Sequence, residues 1–260
     1  MTGYCLRARF YDAEYIFADD KHFLSSLVTP DVKSILEIPS GSGRNLWLAE
    51  TMRKVIFVDR EPEMVRLLSE KLASQNTHSQ VQAVCADLCN LDLGQHFDLI
   101  LVPHDALLML TQDDEIKLAL HGLREHLSSS GRLMTDVALL GEASAVSKDL
   151  PNCYDPALPD GAWQIDLDKP LDKSTRLVRK KRQQQTAELI RFDFSYRLLR
   201  REEEIDAYEA TMTLRRHTIS GLDTFITSAG FVITDCFCGY DRKPFRQGDS
   251  RVIHLLGKRG

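Results

Sequence analysis

Three acidic residues, Glu37, Asp59 and Asp87, each close a short apolar run, and the first is followed at once by a loop of very small side chains. That stretch reads SILEIPSGSGRNLWLAE from Ser34 to Glu50. Gly41 and Gly43 stand in a strand-to-helix turn, where bare backbone N–H groups can meet a ligand closely. A dinucleotide loop needs a third glycine where this chain has Leu46, and no G-K-[ST] follows, which argues against NAD, FAD and a P-loop. A nucleoside without a pyrophosphate suits the acids better. Asp59 can accept from both ribose hydroxyls, Asp87 beside Leu88 from an adenine amino group, and Glu37 is suited to an ammonium group. Acids at the carboxyl ends of consecutive parallel strands converge on the crevice where open α/β sheets bind ligands. Plainer readings stand beside these. Two glycines also make a tight turn, an acid can simply end a strand, and Met64 taken alone fits a core position.

A second group lies in VPHDALLML, after the fourth apolar strand, where His104 and Asp105 form a titratable pair. A histidine near its ordinary pKa of ~6.5 can take a proton from an amine or hydroxyl at neutral pH. The competing reading has His104 orient a substrate or cap the next helix.

The elements that would position these residues follow from hydrophobic pattern. Apolar strands at 34–38, 54–59, 81–87, 97–103 and 131–137 alternate with helices near 43–53, 62–74 and 112–127. Near-continuous apolar strands separated by helices predict a parallel sheet covered on both faces. Thr111 and Asp114, and later Ser220 and Asp223, make capping patterns, and Pro62 suits a first helical turn. Strands at 230–237 and 250–258 predict a closing antiparallel hairpin. Between them and the core, residues 141–217 open with a Pro/Asp-rich loop and continue as three strand-like runs, predicting an inserted antiparallel sheet. Within 174–217 eleven basic residues face seven acidic ones. That excess suits an acidic substrate or RNA, or else a solvated strand face using charge as edge protection, the favoured reading. Arg215, Arg216 and His217 lie where the insertion re-enters the core and are expected to face the pocket.

Composition narrows the class. With 260 residues, 43% hydrophobic, the chain can bury a large core. A net charge of -5 and a pI near 5.9 argue against general nucleic-acid binding. No run of 18 apolar residues or secretory h-region occurs, so a soluble cytoplasmic protein without membrane partners is expected. The six cysteines contain no C-x-x-C, and no metal site is expected.

Taken in order, LEIPSGSGR, VDREPEM, CADL, FDLILV and LREHLSSSGRLM resemble the class I S-adenosylmethionine-dependent methyltransferases over roughly 30–137 and 219–258. The resemblance implies an α/β, Rossmann-like, seven-stranded and mostly parallel sheet in a single domain. Within it, 1–30 would be a helical cap, 31–140 and 218–260 the cofactor core, and 141–217 a substrate lid. It implies S-adenosyl-L-methionine as cofactor, S-adenosyl-L-homocysteine as product, and in-line transfer to an N or O atom of a small molecule. Glu37, Gly41, Gly43, Asp59, Arg60, Met64, Asp87 and Leu88 would bind cofactor, joined by Tyr11 and Tyr15 from FYDAEYIFADD, although that aromatic pair also fits plain packing. His104 and Asp105 would be catalytic, with His104, Arg215 and His217 toward substrate and a homodimer compatible with the lid's edge strand. Pro39 replaces the family's first loop glycine, fixing φ and removing an N–H. Two other classes use the same core: a nucleic-acid or protein methyltransferase docking through the insertion, and a non-catalytic cofactor-binding partner.

Overall fold

The computed structural model describes residues 8–14, 20–52, 54–75, 80–140, 154–155 and 157–259. Short helices α1 (Tyr11–Glu14) and α2 (Lys21–Leu27) precede β1 (Ser34–Glu37), α3 (Trp47–Thr51), β2 (Lys54–Asp59), α4 (Pro62–Ala73) and β3 (Gln80–Cys85). Next come β4 (Phe97–Val102), α5 (Asp113–His126) and β5 (Leu127–Ala138), then β6 (Gln164–Pro170), β7 (Thr175–Gln185), β8 (Leu189–Arg200) and β9 (Glu203–Arg215). The chain closes with α6 (Ile219–Ser228), β10 (Phe231–Phe237) and β11 (Arg251–Lys258).

Seven strands form one sheet in the order β10-β11-β5-β4-β1-β2-β3, and β6 to β9 form a second, four-stranded antiparallel sheet. In the first sheet β1 pairs in parallel with β2 and β4, whereas β11 runs antiparallel to both β5 and β10. Alternate side chains of the central strands feed two cores. Ile35, Val55, Phe57 and Leu99 pack with Leu24, Leu48 and Leu68 on one face. Leu36, Ile56, Val58 and Ile100 pack on the other with Ile116, Leu120 and Leu222. Burial on both faces is why these strands lack a polar alternation. The inner face of the small sheet, Ile190, Phe192, Phe194 and Tyr196, joins that second core. Among the described residues no helix is long and apolar enough to cross a membrane.

Three local expectations change. The helix expected from residue 43 begins at Trp47, because Gly41 and Gly43 take left-handed φ values of 55° and 93° and the chain needs residues 41–46 to recover helical geometry. The caps shift as well. Glu115, not Asp114, reaches back to accept from the N–H of Gln112 at 2.9 Å, and Thr218, not Ser220, caps α6 by accepting from Gly221 N at 3.2 Å. Lastly, QIDLDKP, which follows the expected Pro/Asp-rich loop and lies outside every expected element, is strand β6. Its Ile165 is exposed, and with a register shift between Ile165 and Leu167 only Leu167 packs against the core, too short an apolar pattern to mark the strand.

Gly43 is the position where the turn most needs a bare Cα. A Cβ there would lie 2.5 Å from Leu68 Cδ1, inside a well-packed core. Gly43→Ala is expected to lose about 2 kcal/mol or more, seen as a Tm lower by roughly 4–8 °C. Gly94→Ala, also at positive φ but with open space around it, is expected to lose no more than about 1 kcal/mol, so equal losses would show that crowding at Gly43 is unimportant.

Candidate functional site

The carboxyl ends of β1, β2 and β4 open on one side of the sheet, and the glycine loop crosses above them. Glu37 at the end of β1 is 1% exposed. Its Oε1 accepts from Asn45 Nδ2 at 2.7 Å, while Oε2 is buried with no hydrogen-bond partner among the described residues. Burial drives its pKa up to about 8, against the opposing pull of Asn45 and Arg44. A buried carboxylate oxygen without a donor is costly. An ammonium group brought by a ligand is the complement it lacks.

Asp59 shapes the loop directly. Its Oδ2 accepts from Gly41 N at 2.8 Å and its Oδ1 from Glu61 N at 2.9 Å. Each carboxylate oxygen can accept more than one hydrogen bond, so capacity for ribose hydroxyls remains. Burial raises the Asp59 pKa in spite of these amides. Asp87 is exposed and accepts from Cys89 N at 2.8 Å, which fixes the turn carrying Leu88. Met64 is 1% exposed in the first turns of α4, beside that end of β2. Arg60 is exposed at the rim, its Nε 3.7 Å from Glu61 Oε1. Tyr11 covers the loop, since a Cβ on Gly41 would lie 3.2 Å from Tyr11 Cε1. Asp12 of the same helix bonds Ser42 Oγ and pairs with Lys71 at 2.7 Å. Tyr15 lies outside the described residues.

After β4 the backbone turns through two consecutive left-handed residues, His104 at φ 57° and Asp105 at φ 60°. Such strain in non-glycine residues persists only where surrounding contacts impose it. They send the two side chains apart. Asp105 turns inward, accepting from Ala138 N at 2.6 Å and from Arg251 Nη2 at 3.0 Å. Its carboxylate holds structure together instead of standing beside His104 as a second titrating group. Arg251 also binds Asp136, whose Oδ2 accepts from the Tyr240 hydroxyl at 2.6 Å and from His104 N at 3.3 Å. Burial raises the Asp105 pKa, whereas at Asp136 it is outweighed by Arg251, His104 and Tyr240, which keep that carboxyl low.

His104 turns the other way, toward Asp20 and Arg44. Its Nε2 lies 3.1 Å from Asp20 Oδ2, and Arg44 Nη2 contacts both. Enclosure by these segments, and then the Arg44 guanidinium, push the His104 pKa down to about 3. With 35% of the side chain open to water, the consequence that matters is a neutral ring at neutral pH.

The expected substrate residues of the insertion are spent on packing. Arg215 pairs with Asp113 at 2.7 Å and stacks on Phe225. Arg216 bonds the carbonyls of Leu140 and Thr186 at 3.0 and 2.9 Å. His217 is 3% exposed, its Nε2 3.4 Å from Leu107 O, and burial lowers its pKa to about 4. The best-anchored inward cation is instead Arg179, with Lys181 buried beside it. It grips Asp166 with two 2.9 Å bonds, reaches Glu14 of α1 at 2.8 Å and lies over the Phe194 ring. Its parity with buried Leu177 in TRLVRKKRQQQ was the available signal. Asn45, Asp20 and Arg251 carried none, being scattered polar residues without a motif.

Residues 35–131 match the family model described as a methyltransferase domain. No curated protein matches the chain. Among solved structures, an S-adenosylmethionine-dependent methyltransferase from Clostridium acetobutylicum superposes with a TM-score of 0.77 at 18% identity, covering 98% of this chain and 97% of that one. The CcbJ methyltransferase from Streptomyces caelestis gives 0.73 at 17% identity over 98% and 96%. The sugar N-methyltransferase KedS8 from a Streptoalloteichus species gives 0.71 at 18% identity over 99% and 93%. At these identities the likeness is one of fold.

Glu37 also makes a prediction about stability. Its folded pKa of about 8 lies above the ordinary glutamate value of about 4.5, so the folded state holds a proton that the unfolded state releases. This contribution is present below about pH 4.5 and is lost as pH rises toward about 8, with a slope of at most ~1.4 kcal/mol per pH unit. Glu37→Gln is expected to flatten that slope in the ligand-free protein and to be the more stable form at pH 8 in denaturant titrations. Parallel stability curves for the two proteins would show that Glu37 is not buried as a carboxyl.

Proposed function

We propose, from the premise that residues 35–131 are a methyltransferase domain of the S-adenosylmethionine-dependent class I fold, that the protein transfers a methyl group to an N or O atom of a small molecule. The observation that carries this reading is the buried, partnerless Glu37 Oε2 at a strand end beneath a glycine loop tied to Asp59. It fits a ligand with a cationic amino-acid tail joined to a nucleoside, and S-adenosylmethionine has both.

In that arrangement Glu37 would match the ammonium group, Asp59 the ribose, and Asp87, Leu88 and Met64 the adenine. The cofactor supplies a methyl carbon already activated on a sulfonium. What remains for the protein is alignment, exclusion of water and a destination for one proton. Alignment falls to the loop and to Tyr11 above Gly41. Exclusion falls to the small sheet, bound to α1 through the Arg179–Glu14 pair and through Lys169, which donates to Ala13 O at 2.8 Å. His104, neutral and partly open, is the group placed to hold the proton.

A small-molecule acceptor is supported by near full-length similarity, insertion included, to structures described as a sugar N-methyltransferase and an amino pentose methyltransferase. The charge distribution argues the same way. On the small sheet Arg182 and Arg191 pair with Asp193, and Arg197 with Glu204 and Glu209, so much of the basic excess is neutralised locally. A phosphate-binding surface would leave such cations available.

Calorimetric titration with S-adenosylmethionine, S-adenosylhomocysteine and NAD tests the premise. Micromolar binding is expected for the two adenosyl ligands only, with Asp59→Ala weakening it roughly tenfold or more, since hydrogen bonds to a charged group contribute about 1.5–3 kcal/mol. Tighter binding of NAD, or no adenosyl binding, would overturn it.

A further inference from the structure

Glu37, Asp59 and Asp87 are not held alike. Asp59 accepts from the backbone amides of Gly41 and Glu61, and Asp87 from that of Cys89. Glu37 has no backbone donor among the described residues. Its hydrogen bond there is to a side chain, Asn45 Nδ2, which donates to Oε1 at 2.7 Å, while Oε2 has none. A side-chain amide can turn end for end, and if turned it would set its carbonyl oxygen against the Glu37 carboxyl group.

Trp47 prevents that turn. Its Nε1 lies 3.2 Å from Asn45 Oδ1, and an indole nitrogen only donates. The amide therefore faces Trp47 with its oxygen and Glu37 with its nitrogen. Both residues are anchored. Trp47 opens α3, whose Leu48 and Ala49 are buried, and its ring packs against the same core cluster. Asn45 is 2% exposed, and its carbonyl accepts from Leu48 N at 2.9 Å. With Oε1 fixed as an acceptor, any proton that the buried acid carries sits on Oε2.

We propose that Trp47 and Asn45 form a relay that reserves Glu37 Oε2 for the ammonium group of the methyl donor, and so selects ligands with an amino-acid tail. The inference rests on the methyl-transfer reading above and deepens it. When the ammonium group arrives, the proton on Oε2 leaves for solvent. The carboxylate then keeps Asn45 on one oxygen and gains the cation on the other. Donation from Asn45 favours this ionised form, against the burial that opposes it. Trp47 and Asn45 act through Glu37 and are positioning residues.

Calorimetric titration of the full chain with S-adenosylhomocysteine and with its deaminated analogue, which keeps nucleoside and carboxylate, isolates the ammonium contact. Trp47→Phe keeps an aromatic ring and removes the donor. It is expected to weaken S-adenosylhomocysteine about tenfold and the deaminated analogue by less than about twofold. A residue that merely supports the loop would affect both ligands alike, so an equal loss, or no loss for either, overturns the relay. A second readout needs no ligand. The Glu37 carboxyl carbon, followed by NMR and assigned with Glu37→Gln, is expected to titrate near pH 8 in the wild type. In Trp47→Phe its midpoint is expected to rise by roughly 0.5 pH unit or more, because a freed amide can turn and accept from the protonated acid. Arg44, Asp20 and Asp59, which act on this carboxyl through their charge, are the same in both proteins. An unchanged midpoint overturns the relay. Should Trp47→Phe not fold, Asn45→Leu, similar in shape and without the amide, is expected to show the same selective loss and raised midpoint, and the same null results count against the relay. Absence of S-adenosylhomocysteine binding to the wild type sinks the methyl-transfer reading instead, and the ligand-free titration still decides whether Trp47 orients Asn45 against Glu37.

Discussion

The buried guanidinium of Arg251 is the constraint on which the site's geometry hangs. It comes from the antiparallel last strand and binds Asp105, after β4, and Asp136, near the end of β5. Losing one member of a buried ion cluster typically costs about 3–5 kcal/mol, because it strands the remaining charges. Here the cluster also supports the two left-handed residues that aim His104 toward Asp20. Two acidic residues and one arginine leave a net negative charge, and the Tyr240 hydroxyl and the His104 amide supply the extra donors to Asp136. The C-terminal hairpin therefore shapes the cleft from behind, although its strands contribute no residue to the expected cofactor positions.

The roof depends on a different set of contacts. Residues 10–14 lie between the glycine loop and the small sheet and engage both. Tyr11 and Asp12 face the loop, while Glu14 meets Arg179 and Phe10 stacks on Tyr208. Arg179 and Glu14 are both nearly inaccessible to solvent. An exposed pair of this kind would contribute little, but a buried, bidentate and stacked arginine fixes the direction of approach. The glycine loop, residues 10–14 and the small sheet are thereby tied together.

Energetically the strand ends carry buried acids whose polar atoms are incompletely matched. Glu37 keeps an unmatched oxygen in a buried place, and burial shifts the Asp59 pKa upward as well. Groups in such surroundings weaken the ligand-free fold, and the same desolvation strengthens their pairing with an incoming cation or hydroxyl.

Much of this was already legible in the chain. The run of apolar strands, the two glycines, and the acids at 37, 59 and 87 depend on local rules: strand burial, turn geometry and the direction of a parallel strand's end. Those rules act over a few residues, so the sequence alone determined the parallel sheet, the loop and the placing of the acids at the strand ends. The edge strand β6 escaped because Leu167 is its one apolar residue packed on the core, too little for a periodic pattern. The roles of Asp20, Arg44, Asp105, Arg179 and Arg251 were decided only by tertiary structure. Each is a polar residue whose partner lies far along the chain, as Arg251 and Asp105 do at a separation of 146 residues. Sequence pattern records which side chains can form ions. Which of them meet away from water, and so which shift their pKa and which merely hold the fold, depends on where the strands bring them.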